Sequence, residues 1–246
     1  MSPPEVHGSA EGVVSVPPAV PGVGARHWLG VFLTSSVGQK AVMAVTGVIL
    51  VLYVIVHLLG NLQVFQGEEH LNAYAQLLRL EPPLLWTARV ILFAAAALHV
   101  IFGVRLWLQN RSARPVPYAC RSTVKASIAS RTMIYTGLVV LGFVVYHVLH
   151  LTLGTVGPSG YEFEHGNVYR NLVRGFQDPL ISGLYIVGQI FLYVHLSHGI
   201  QSMFKTLGAS HPKYERGVER LGGILALLLA VGNIALPLVV LFGVVR

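Results

Sequence analysis

Residues 41–62 read AVMAVTGVILVLYVIVHLLGNL, 22 positions without one charged side chain. A bilayer core about 30 Å thick is crossed by about 20 apolar residues in a helix, so this stretch is long enough to span it. Its Leu, Val and Ala residues form a run and do not alternate, which favours a helix over a barrel strand. Residues 84–107, 132–153, 180–203 and 221–245 have the same character. The expected fold is therefore all-α, an integral membrane bundle of five helices. Composition agrees: 54% of the 246 residues are hydrophobic and 11% charged. Soluble domains carry about 25% charged residues, so lipid must be part of this chain's solvent.

Residues 1–37, rich in Pro, Gly and Val, are expected to be a mobile cytoplasmic segment, and 38–246 the transmembrane domain. The start has no basic run leading into an apolar core, so no signal peptide is read. Gly22-Val23-Gly24 has no strand before it and no third glycine in place, and is not read as a dinucleotide fingerprint. Cys120 is the single cysteine, which excludes a disulfide framework and a cysteine-ligated iron–sulfur cluster within the chain.

Basic residues set the orientation. One side carries Arg26, Lys40, Arg105, Arg111, Arg114, Arg121, Lys125, Arg131, Lys205, Lys213, Arg216 and Arg220. The other carries Arg79, Arg89, Arg170, Arg174 and Arg246, among Glu68, Glu69, Glu81, Glu162, Glu164 and Asp178. Twelve cations against five place the amino terminus in the cytoplasm and the carboxyl terminus outside. On the outer side, residues 67–78 have the spacing of a short interfacial helix, and 154–178 read as a cap. Pro237 is expected to kink the last span.

Ionisable side chains in lipid are costly and ask for a reason. Six histidines lie within the spans: His57, His99, His147, His150, His195 and His198. An internal repeat sorts them. Thr46-Gly47 is followed ten residues after the glycine by His57, and Thr136-Gly137 at the same interval by His147. His99 precedes Gly103 by four residues, as His195 precedes Gly199. Each of these four lies about 15 residues, roughly 22 Å, after its helix enters the membrane. Helices of alternating direction then bring His57 and His147 to the outer leaflet and His99 and His195 to the inner one. A lone intramembrane histidine is as readily a hydrogen-bonded packing residue; four at matched depth in two repeat classes point to paired ligands. Low-spin haem takes two axial imidazoles, and glycines beside it admit a flat macrocycle. Arg105, Arg131 and Lys205 are candidate partners for the inner haem's propionates, and Asn61, Gln63 or Tyr161 for the outer one's. The spans contain no Asp or Glu, which argues against a zinc or proton-relay site. His150 and His198 lie on nearly the same faces as their neighbours, so a helix rotated by about 60° exchanges either for the first of its pair.

The stretch His57-Leu58-Leu59-Gly60-Asn61-Leu62-Gln63-Val64-Phe65-Gln66-Gly67, continued by Asn72-Ala73-Tyr74-Ala75, resembles the cytochrome b membrane-anchor subunit of succinate dehydrogenase/fumarate reductase in its five-helix, dihaem form. Ser130-Arg131-Thr132-Met133 and His195-Leu196-Ser197-His198-Gly199 are also similar to that family. The resemblance implies that His57 and His147 bind the distal haem b, and His99 and His195 the proximal one. It implies partner subunits that carry FAD and iron–sulfur clusters, so the succinate site is not on this chain. It further implies a bacterial cytoplasmic membrane, and a quinone, expected to be menaquinone, as electron acceptor. Quinone chemistry needs proton donors, and Glu68, Glu69, His70 and Glu81 are the candidates near His57. The alternatives are a stand-alone or hydrogenase-type dihaem cytochrome b, which would lack the first-loop sequence, and a haem-free membrane anchor.

Overall fold

The computed structural model describes residues 25–113, 128–209 and 211–246. Arg114, Arg121, Lys125, Cys120 and Gly22-Val23-Gly24 lie outside the described residues, as does most of the expected amino-terminal segment. Among the described residues all regular structure is helical, without a strand.

Five helices are long and apolar enough to cross a membrane. They are α2 (Ser36–Asn61), α4 (Pro82–Ser112), α5 (Ile128–Leu151), α7 (Pro179–Thr206) and α8 (Pro212–Leu241). Three shorter α-helices accompany them, α1 (Ala25–Thr34), α3 (Glu68–Leu77) and α6 (Val168–Phe176), with a 3-10 helix over Leu62–Gln66. Local chemistry sets the starts. Ser35, in extended conformation, accepts the Gly38 N–H ahead of α2. Asp178 accepts from Leu180 and Ile181 at 2.8 and 3.0 Å, with Pro179 in the first turn of α7. His211 Nδ1 accepts from Lys213 at 3.2 Å, and Pro212 opens α8. A cap side chain satisfies N–H groups that a helix start leaves orphaned, and proline there gives up none that was needed. Pro237 does not end α8, which continues to Leu241.

α2 packs on α4 and α5 on α7, so the halves that share the sequence repeat form two helix pairs; α2 meets α7 between them, and α8 lies along α7. α4 and α5 hardly touch. Many large apolar side chains on the spans face outward, Phe93 at 78% and Leu180 at 79% exposure among them. In water such a surface would aggregate; against lipid it is the expected outer face.

Two faces of the bundle differ. Val37 and Lys40 of α2, Lys205 of α7, Ser130 of α5 and Glu219 of α8 line adjoining cavities, which puts these helix ends on one face, here called the basic side. The opposite face is closed by a cap in which Leu71 of α3, Leu172 and Phe176 of α6, Tyr185 of α7 and Val245 form one buried cluster. Polar bonds fasten it. Asn72 donates to Asn167 at 2.9 Å, Asn167 donates to Glu68 at 2.8 Å, and Arg170 and Arg174 pair with Glu164 at 3.6 and 2.7 Å. The cap needs Gly175: a Cβ there would stand 2.7 and 2.8 Å from Cε1 and Nε2 of fully buried His150. Overpacking of this kind costs about 1–3 kcal/mol. Gly175→Ala is therefore expected to lower the unfolding temperature of the detergent-solubilised protein, whereas alanine at Gly183, where a Cβ meets nothing, leaves it unchanged.

Candidate functional site

Each half of the chain contributes one histidine to each of two pairs. His99 on α4 faces His195 on α7, ring centroids 6.3 Å apart and planes at 69°. His57 on α2 faces His147 on α5, centroids 5.7 Å apart and planes at 87°. Along α2, the residues beside His99 and His57 itself are ten or eleven positions apart, about 15 Å of helix rise. The bundle thus brings the ring of His57 beside that of His147, and the ring of His99 beside that of His195. The two second histidines have other surroundings. His150 is turned to Tyr185, whose hydroxyl lies 3.0 Å from Nδ1. His198 lines the basic-side cavity of about 410 Å³ with Ser130, Ser197, Gln201, Lys205 and Glu219.

The basic-side pair is held by hydrogen bonds repeated in both halves. His99 Nδ1 lies 3.2 Å from the Met43 carbonyl and 3.3 Å from Thr46 Oγ1. A carbonyl only accepts, so Nδ1 carries the proton and Nε2 is left as the lone-pair nitrogen. His195 Nδ1 lies 3.3 Å from Thr136 Oγ1, whose own hydroxyl donates to Thr132 and Met133 carbonyls at 3.2 and 3.1 Å. That donation turns a threonine lone pair toward His195, which therefore donates from Nδ1. Metal-bound histidines are oriented in this way by their second nitrogen. The sequence signal was available as Met43-Ala44-Val45-Thr46-Gly47 against Met133-Ile134-Tyr135-Thr136-Gly137. Thr-Gly marked the repeat there, but the hydroxyl's partner on the neighbouring helix was not legible.

The glycines divide unequally. A Cβ at Gly137 would lie 3.1 Å from His195 Cε1, which supports the close approach expected there, whereas one at Gly47 would make an ordinary contact, 3.6 Å from His99 Cε1. At Gly103 and Gly199 a Cβ would make ordinary contacts, at 3.8 and 3.9 Å, with the Met43 and Met133 methyls.

The cap-side pair is built from rings. Tyr53 stacks on His57, its hydroxyl 3.5 Å from Nδ1. His147 Nδ1 is buried without a hydrogen-bond partner, and its ring rests on Phe143 and Tyr185.

Both pairs fit a bis-imidazole site. Two metal–nitrogen bonds of about 2 Å, end to end, set imidazole centroids roughly 6 Å apart. All four rings are half-buried, so surface remains for a further group. Among the described residues no three His, Cys, Asp or Glu side chains converge as a metal cluster. A metal held by two imidazoles alone needs its other ligands from a non-protein group, and a porphyrin supplies four.

The remaining candidates are placed as follows. Arg105 and Arg131 are exposed on the basic side. Lys205 is met by Glu215 at 2.8 Å and Glu219 at 3.9 Å, and Gln201 donates to Glu219. Asn61 donates to the His57 carbonyl at 2.7 Å. The Tyr161 hydroxyl donates to the Asn171 carbonyl; burial pushes its pKa up to about 12, partly offset by Arg174, so it stays protonated. Glu68 is committed to Asn167 and, at 3.0 Å, to Arg170. Glu69, His70 and Glu81 are exposed on the cap side.

Fold and site together define a multi-pass helical membrane protein with two stacked pairs of facing histidines. A family model described as the succinate dehydrogenase/fumarate reductase transmembrane subunit matches residues 108–235. That is just over half of the 246 residues, and the chain belongs to this family. The matched segment contains His147 and His195, while His57 and His99 lie in the sister half. No curated protein and no solved structure matches the chain.

Proposed function

We propose that the chain is the membrane subunit of a succinate:quinone oxidoreductase that holds two b haems and delivers electrons to a quinone, with menaquinone the expected acceptor. The observation that carries this is the coincidence of two facing imidazole pairs, at separate depths, in a member of this family. His99 and His195 would hold the haem nearer the basic side, and His57 and His147 the one nearer the cap. Haem supplies one-electron chemistry, which suits a relay between an iron–sulfur partner and a two-electron quinone. Thr46 and Thr136 keep the basic-side imidazoles in the tautomer that leaves Nε2 free. Arg105 and Arg131 offer cationic partners for propionates, while the charge on Lys205 is already met by α8. On the cap side, Glu69, His70 and Glu81 are the proposed proton donors for quinone, with Glu68 occupied by Arg170. The excess of cations on the basic side supports its placement in the cytoplasm of a bacterial inner membrane, where flavoprotein and iron–sulfur subunits dock.

The test is purification in mild detergent, followed by a dithionite-reduced minus oxidised spectrum and haem quantitation per chain. Two b haems and co-purifying flavin and iron–sulfur subunits are expected. A chain isolated in its complex without b-type bands defeats the proposal.

A further inference from the structure

We infer that Tyr185 and His150 are positioning residues for His147, and that they carry the hold of the cap onto the cap-side imidazole pair. The inference rests on the proposed role of that pair and adds residues that do not touch the ligand themselves.

The two pairs are oriented by different means. On the basic side each Nδ1 faces a threonine hydroxyl, which fixes ring rotation directly. His147 has no such bond; its Nδ1 is buried and unpartnered. Rotation of its imidazole about the Cβ–Cγ bond is limited only by what packs on the ring. Those neighbours are its partner His57, edge-on at 5.7 Å, Phe143, one turn earlier on the same helix, and Tyr185 from α7, whose ring stands edge-on at 5.8 Å and 65°. Edge-on aromatic contacts prefer a definite angle, so Tyr185 holds His147 only as firmly as Tyr185 is itself held.

Tyr185 is held at both ends. Its ring takes the edge of Phe176 from α6 at 4.7 Å, and its hydroxyl lies 3.0 Å from His150 Nδ1. His150 is 0% exposed, ringed by Tyr146 and Tyr161, and covered by Gly175 of α6. Neither Tyr185 nor His150 can turn without moving the cap. Orientation therefore passes from α6 through the His150–Tyr185 bond to His147. The position of His150, three residues after His147 on α5, explains the doubled histidine: one side chain is placed to ligate, and the next to lock the tyrosine that aligns it.

The test uses the full chain in its complex, in membranes, with EPR of the ferric low-spin haems and haem content per chain. The cap-side signal is assigned by its loss in His57→Ala. Tyr185→Phe removes one oxygen, and His150→Leu removes the other end of the bond. Both are expected to shift the cap-side signal while the basic-side signal stays in place and haem content remains two per chain. His150→Asn, which puts an amide where Nδ1 stands, is expected to return the signal toward its original position. A cap-side signal unmoved in both Tyr185→Phe and His150→Leu overturns the inference, as does an equal shift of both signals. If His150→Leu fails to accumulate, Tyr185→Phe decides alone. Absence of a cap-side signal before any substitution defeats the proposed function as well, and is distinguished by that order.

Discussion

A chain in which His195 is replaced by alanine is expected to retain one haem of two. The reason is geometric. His195 and His99 face each other alone, with no third ligating side chain among the described residues to take the vacated position. A porphyrin iron that loses one of two axial imidazoles loses its low-spin ligand field and one of its two protein anchors. The other pair lies about 15 Å further along the bundle and shares no side chain with this one, so its haem should be undisturbed. His99→Ala should reproduce the loss, and His57→Ala and His147→Ala should remove the other haem instead. His198→Ala and His150→Ala are the informative controls. His198 lines the basic-side cavity and His150 bonds Tyr185, so both variants should keep two haems. Pyridine haemochrome assay per chain and the count of low-spin EPR signals measure this. Loss of haem in His198→Ala with retention in His195→Ala would show that α7 is rotated from the geometry described here.

How far that pairing was legible in the sequence depends on what each signal encodes. Hydropathy gave the five spans because lipid exposure leaves no room for polar residues on either side of a helix. It placed their ends less well, since a helix continues into water after the apolar run stops. α8 begins at Pro212, nine residues before the expected span, on a polar turn whose Glu215 and Glu219 meet Lys205. The repeat located the four histidines because depth is a one-dimensional quantity, counted in residues. What faces a histidine across the bundle depends on helix rotation, which the count does not contain. Thr46 and Thr136 were visible only as markers, and the Tyr185 contact with both His147 and His150 was not visible at all. The amino-terminal segment shows the same limit. Residues Ala25–Thr34 form α1, packed on the start of α2, where Gly38 leaves no space for a Cβ beneath the Phe32 carbonyl. Composition alone read that stretch as tail.

The second large effect is expected from Thr136→Val, a change that keeps shape and removes one acceptor. Thr136 donates its hydroxyl to carbonyls of its own helix and presents its remaining lone pair to His195 Nδ1. Valine restores neither, so His195 loses the side-chain bond that sets its ring angle and keeps only the Met133 carbonyl. Outer partners of metal-bound histidines are typically worth about 10–100-fold in affinity, and a weakening of that order is expected for the basic-side haem alone. Thr46→Val should weaken the same haem in the same way, since the Met43 carbonyl stands by His99 at 3.2 Å as the Met133 carbonyl stands by His195. Gly137→Ala provides a steric counterpart: its Cβ, 3.1 Å from His195 Cε1, presses the ring without touching the hydrogen bond. Thr136→Ser, which keeps the acceptor, should bind as the parent does. Haem retention during washing, followed by hemin titration of the stripped protein, separates these outcomes. If valine and serine at 136 retain haem equally well, the hydroxyl does not orient the ligand, and packing by Gly137 must set its angle instead.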